Sequence, residues 1–154
     1  MKGWNEIHNG MKYIDSREIE ERITYLEDEL EQLEQDIVEA EDEDEDGNID
    51  DEEVQATQNA KQEWEEDYLE ELNALRNLKA DCEDSVGDWS YGATLIREDA
   101  FVEYTEDLLI DIGMISKEAV DRNFPAIDWE QTAETLKADY YETEFMGETY
   151  LARM

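Results

Sequence analysis

Oxygen ligands crowd one short stretch of this chain, Asp42-Glu43-Asp44-Glu45-Asp46-Gly47-Asn48-Ile49-Asp50-Asp51-Glu52-Glu53. Hard divalent cations are held by such oxygens. A calcium loop of the EF-hand kind places them at its first, third, fifth, ninth and twelfth positions, with glycine at the sixth and an apolar residue at the eighth. Asp42, Asp44, Asp46, Asp50 and Glu53 meet those ligand positions, Asn48 stands at the seventh, and Gly47 and Ile49 fill the other two. The surrounding acid run supplies most ligands whatever the selection, so only Gly47 and Ile49 add information. The flanks disagree as well. Glu41 falls where an incoming helix buries an apolar residue, Thr57 and Gln58 are polar where the outgoing helix packs, and no second loop exists to pair with. The stretch reads first as a turn between helices, with weak calcium binding by Asp42, Asp44, Asp46, Asn48, Asp50 and Glu53 as the lesser expectation.

Catalytic constellations are poor. His8 is the single histidine and reads as a surface or packing residue. Carboxylate pairs can be drawn almost anywhere in so acidic a chain, which makes them uninformative. There is no phosphate-cradling glycine loop, nucleophile elbow or zinc spacing. The single Cys82 cannot form an internal disulfide, suits a reducing compartment, and reads as a small apolar residue near a helix end. The expectation is therefore a protein that is not an enzyme, has no catalytic residue and needs no cofactor.

Charge is the dominant signal. The 154 residues carry 47 Asp and Glu against 12 Lys and Arg, a net charge of -35 and a pI near 4.1. Self-repulsion on that scale opposes a compact state, yet 40% apolar residues with 10% aromatics can build a core. Such a surface repels nucleic acid and anionic membranes and attracts basic clefts, so the expected partner is basic, with no direct nucleic-acid binding. No run of 18 apolar residues occurs, and the opening Met1-Lys2-Gly3-Trp4-Asn5-Glu6 lacks the apolar stretch of a signal peptide. The expected location is the cytoplasm.

The elements that must carry this charge start at Ile14-Asp15-Ser16-Arg17-Glu18-Ile19, where Asp15 is an N-cap and Ile14 and Ile19 form a hydrophobic staple. Ile19, Ile23, Leu26, Leu30, Leu33 and Ile37 then recur at alternating steps of four and three, the seam of a coiled coil. Gly47-Asn48 reverses the chain, and a second helix follows from about Asp51 to Asp84 with Val54, Trp64, Tyr68, Leu72, Leu75 and Leu78 as its stripe. Folded together, these make an antiparallel helical hairpin over residues 1–86. From Gly87 the texture changes. A strand at Ala93 to Ile96, a helix carrying Phe101, Tyr104, Leu108, Leu109 and Ile112 and closed by Gly113, a helix capped by Asp128, and a hairpin turning at Met146-Gly147 make a small α+β domain over residues 87–154. Trp89, Tyr91, Trp129, Tyr140, Tyr141 and Tyr150 are its expected aromatic core. The fold class is α+β, mainly α, and a homodimer is expected because a thin hairpin leaves apolar surface to cover.

The first helix carries eleven acids over about 40 Å, roughly one per 3.5 Å, against Arg17 and Arg22 alone. A DNA strand carries one phosphate per about 3.4 Å. Solvated coiled-coil faces are also charged, but they usually mix signs. The candidate mimic surface is Glu20, Glu27, Asp28, Glu31, Glu34, Asp36 and Glu41 on the first helix and Glu63, Glu65, Glu66, Glu70 and Glu71 on the second.

Two stretches carry a family resemblance. Asp107-Leu108-Leu109-Ile110-Asp111-Ile112-Gly113, Ile127-Asp128-Trp129-Glu130, Tyr140 to Phe145 and Gly147-Glu148-Thr149-Tyr150-Leu151 together resemble the C-terminal domain of the ArdA-type antirestriction family. The opening, Trp4-Asn5-Glu6-Ile7-His8-Asn9-Gly10 through Ile14-Asp15-Ser16-Arg17, is similar to that of a group of small bacteriophage proteins that join a charged coiled coil to the same tail. The resemblance implies a phage or mobile-element anti-defence protein that occupies the DNA-binding cleft of a host restriction-modification or related enzyme as a DNA mimic. The predicted hairpin departs from the ArdA architecture. Two other classes stay open: an EF-hand-like calcium-binding coiled-coil protein, and an acidic chaperone or adaptor for basic proteins.

Overall fold

The computed structural model of the chain describes residues 3–154, so Met1 and Lys2 of the opening lie outside the described residues. The chain is α+β and dominated by helix. It divides into two compact units, one of Met1–Ile7 with Glu18–Asn77 and the other of His8–Arg17 with Leu78–Met154. The expected single division, 1–86 and 87–154, thus gives way to one in which residues near the N-terminus belong to the C-terminal unit. The reason is a three-residue strand, β1 (Tyr13–Asp15), that pairs antiparallel with β2 (Thr94–Arg97), Ile14 standing opposite Leu95. The buried Ser16 hydroxyl fastens the same segment, donating to Trp89 O at 2.7 Å and accepting from Ala93 N at 2.8 Å.

The helical unit is built on α1 (Ser16–Glu41) from Glu18 onward, α2 (Asp51–Trp64), a π-helical turn (Glu65–Leu69) and α3 (Glu70–Cys82) as far as Asn77. Helix α1 contains no glycine or proline and is rich in Glu, Leu and Gln, residues that lose little freedom in a helix. Its apolar seam is buried at Ile19, Ile23 and Leu26 and only half-buried at Leu30, Leu33 and Ile37. Asp50 caps α2 by accepting from Glu52 N and Glu53 N, and three acids in the first turn suit the helix dipole. The second helical stretch is not one continuous α-helix as expected: the π turn adds a residue between Trp64 and Glu70 and brings the Tyr68 ring to 5.7 Å from that of Trp64. Beyond it, Leu72 and Leu75 are fully buried.

The other unit is a four-stranded antiparallel sheet, ordered β1-β2-β4-β3, with β3 (Tyr140–Phe145) and β4 (Glu148–Arg153) joined through Met146 and Gly147. Both turn residues have positive φ, 50° and 82°, the geometry of a two-residue hairpin whose twist matches its strands. Helices α4 (Phe101–Asp111), α5 (Lys117–Arg122) and α6 (Trp129–Leu136) complete it. Asp128 caps α6 by accepting from Gln131 N, as its spacing predicted. Ile96, Ala100, Phe101, Ala133, Tyr140 and Leu151 form the contiguous core, with the Phe101 and Tyr140 rings edge-on at 5.0 Å. Burying each large apolar side chain contributes about 1.5–3 kcal/mol. Of the aromatics expected inside, Trp89, Tyr140 and Tyr150 are buried, Trp129 and Tyr141 are half-buried, and Tyr91 is 83% exposed. No helix among the described residues is long and apolar enough to cross a membrane.

Candidate functional site

The charge is unevenly shared. The helical unit holds 27 acids against four bases, a net charge of -23, and the sheet unit holds 20 against eight, a net charge of -12. The field is therefore strongest where α1, α2 and α3 lie, and the loop between α1 and α2 adds to it, since every residue from Glu41 to Glu53 is exposed.

Both bases of α1 hold a carboxylate. Arg17 grips the carboxylate of Asp15, with Nη2 at 2.8 Å and Nε at 3.2 Å, and this contact holds the Asp15 carboxyl below its ordinary range. Arg22 turns inward. Its guanidinium forks onto Glu71, Nε to Oε2 at 2.7 Å and Nη2 to Oε1 at 2.8 Å, with both side chains at most 4% exposed. The remaining valences are met too: Arg22 Nη1 donates to Gly3 O and Trp4 O, and Glu71 Oε2 accepts from Ile7 N at 3.1 Å. The Tyr25 and Tyr68 rings lie 5.6 and 5.8 Å from the guanidinium carbon. Bonding to Glu71 raises the Arg22 pKa more than burial lowers it. Gly3 is required in this arrangement, because its φ is +90° and a Cβ there would stand 2.7 Å from Glu21 O.

Glu71 is accordingly no part of an exposed acidic surface, contrary to its expected place there. It is buried like its neighbours Leu72 and Leu75, and Arg22 compensates its charge. The other candidates are accessible. Glu27, Asp28, Glu31, Glu34, Glu41, Glu63, Glu66 and Glu70 are exposed, and Glu20, Asp36 and Glu65 are half-buried. Glu20, Glu27, Glu31 and Glu34 follow at steps of seven, four and three and so share one stripe of α1. Glu27 meets Arg76 at 3.4 Å, and Lys61 lies 3.7 Å from Glu34 and 3.9 Å from Glu65. These are long, exposed contacts of little energetic weight.

The loop offered for calcium closes on its own backbone. The Asp44 carboxylate accepts from Asp46 N and Asn48 N, Gly47 adopts a φ of 78°, and the Asp50 carboxylate is engaged in capping α2. Asp42, Asp44, Asp46, Asn48, Asp50 and Glu53 are all exposed, and no three His, Cys, Asp or Glu side chains among the described residues converge on a point that could hold a metal ion. His8 is exposed, its Nδ1 accepting from Gly10 N. Cys82 ends α3 fully buried, and burial pushes its thiol up to about 11. Sequence reasoning missed the inward Arg22 and its partner; the available signal was a lone base beside the seam of an otherwise acidic helix. Compared with family models, with curated proteins and with solved structures, the chain finds no match.

Proposed function

We propose that the helical unit stands in for the phosphate backbone of nucleic acid and blocks the DNA-binding cleft of a host enzyme, as an anti-defence protein of phage or mobile-element origin acting in the bacterial cytoplasm. The observation that carries this reading is the concentration of 27 acids against four bases in one unit, with the two bases of α1 engaged by Asp15 and by buried Glu71. A merely solvated helix surface gains nothing from so one-sided a charge, whereas a basic cleft gains by releasing its bound anions when it docks. The finer architecture that suits the role is an antiparallel coiled-coil hairpin. It is supported by contacts at Arg22 with Glu71, Glu29 with Trp64 and Glu34 with Lys61, whose numbers rise on one stretch as they fall on the other. No catalytic step belongs to this reading, and the working form is a homodimer.

Competition tests it. The protein should displace duplex DNA from a single site on its target, and the affinity should fall with salt on a slope like that of the target's own DNA complex. Replacing Glu27, Glu31 and Glu34 together by Gln keeps the helix propensity and the seam, so a large loss of binding with unchanged circular dichroism assigns the effect to charge. Single replacements should cost little, because an exposed charge contributes about 1 kcal/mol or less. A target that holds DNA and this protein at once, or binding unchanged between about 0.1 and 1 M salt, defeats the proposal. Binding to many basic proteins alike, with tolerance of scrambled acids, points to the acidic-chaperone reading instead.

A further inference from the structure

The sheet unit exposes an apolar segment that its own fold leaves uncovered. After α4 ends, residues 112–127 run through Ile112, Met114 and α5 to Phe124 and Ile127. Ile112 is 58% exposed, Met114 74% and Phe124 80%, while Ile115, Val120 and Ile127 are half-buried. Single exposed apolar residues are ordinary, but three of this size within thirteen positions stand out in so acidic a chain. Helix α5 sharpens the point. It has six residues, Ser116 caps its start by accepting from Ala119 N, and Asn123 closes its end at φ 51°, yet it has no extensive packing against any other helix or strand. A helix so short does not persist on propensity and caps alone; it needs a face to pack on.

Charge identifies that face. Residues 112–127 contain Glu118 and Asp121 against Lys117 and Arg122, a net charge of zero in a chain of -35, and Arg122 is bonded to Glu118 at 2.7 Å. A basic cleft gains nothing here. Two copies of this chain repel each other strongly, and their approach is least opposed where local charge cancels and apolar surface is exposed. We propose that residues 112–127 form the face on which a second copy of the chain docks, around the anchors Met114 and Phe124, as a symmetric dimer. This assignment is independent of the nucleic-acid mimicry and replaces the half-buried end of the α1 seam as the dimer contact.

Sedimentation of the full chain tests it at about 0.1 and 1 M sodium chloride, a range that shortens the Debye length from about 10 to about 3 Å. The expected result is a dimer that tightens as salt rises, opposite in sign to the salt response of binding to a basic target, so that the two proposals fail separately. Met114→Gln with Phe124→Gln removes apolar surface without adding charge, and should weaken the dimer at least about a hundredfold, on the scale of two interface anchors. Met114→Glu with Phe124→Glu should abolish it. Both pairs lie on exposed positions, so at dilutions where the wild type is monomeric the circular dichroism and thermal midpoint of variants and wild type should agree. A wild-type chain that stays monomeric to about 1 mM protein at 1 M salt overturns the assignment, as does a Gln pair that dimerises like wild type, or a dimer lost on Leu30→Gln with Leu33→Gln alone.

Discussion

At the scale of single residues, burial sets what the ionisable groups can do. Burial pushes the Cys82 thiol from 9.0 up to about 11, with nearby Asp81 adding to the rise and a hydrogen bond with Thr143 opposing it. The Tyr150 phenol, which donates to Met11 O at 2.6 Å, goes from 10.0 to about 12 for the same reason. Both folded-state values exceed the unfolded ones. Their contributions to stability are therefore complete below pH 9 and 10 and are lost as pH rises through 11 and 12. Urea midpoints should be level from neutrality to about pH 9 and fall above it, and Cys82 should react with a thiol reagent at neutral pH only when the chain unfolds. Fast native-state labelling would contradict this. The Arg22–Glu71 pair makes a second expectation. Arg22→Met leaves Glu71 buried without its partner and should cost about 3–5 kcal/mol in urea titrations, whereas Arg22→Met with Glu71→Leu should recover most of the loss. Equal losses in the single and double variants would show that the charges are not compensating one another. Most of the acidic surface was legible residue by residue, because exposure is the default for Asp and Glu. Glu71 was not, since its inward position depends on a base 49 positions away.

At the scale of elements, local chemistry foretold what local chemistry controls. The Ser16 start and Glu41 end of α1, the α2 start after Asp50, the Asp128 cap of α6 and the Met146-Gly147 turn all follow from caps, seams and turn residues within a few positions of each other. What escaped is non-local. Strand β1 is three residues long and exists because β2, some eighty positions on, offers it a partner. The π turn has no signature in the residues it spans and coincides with the contact between the Trp64 and Tyr68 rings. The loop from Asp42 to Glu53 is an element-scale case in which one pattern serves two chemistries, since Asp44 and Asp50 accept backbone N–H groups as turn and cap residues do while the acid run fills the ligand positions of a calcium loop. Calcium should bind there only as to a loose carboxylate cluster, weaker than about 100 µM by calorimetry. A micromolar site abolished by Glu53→Gln would restore the calcium-loop reading.

At the scale of the whole molecule, the charge that the proposed function needs works against the fold. A net charge of -35, with -23 in the helical unit alone, raises the energy of any compact state, and the half-buried ends of the seam at Leu30, Leu33 and Ile37 leave α1 little apolar burial with which to offset it. Screening should therefore stabilise the folded chain. Sodium chloride raised from about 0.01 to about 0.1 M cuts the Debye length from about 30 to about 10 Å, and the thermal midpoint should climb most steeply over that range. The Glu27, Glu31 and Glu34 to Gln variant separates this from general salting-out, which strengthens apolar burial in any protein. It should melt higher than wild type at low salt, converge with it at high salt, and bind the basic target more weakly throughout. That combination, greater stability with poorer binding, is the trade-off expected when surface charge is kept for function rather than for folding. Thermal midpoints that do not respond to salt, or a Gln variant that melts lower at every salt concentration, would mean that these acids stabilise the helix they stand on.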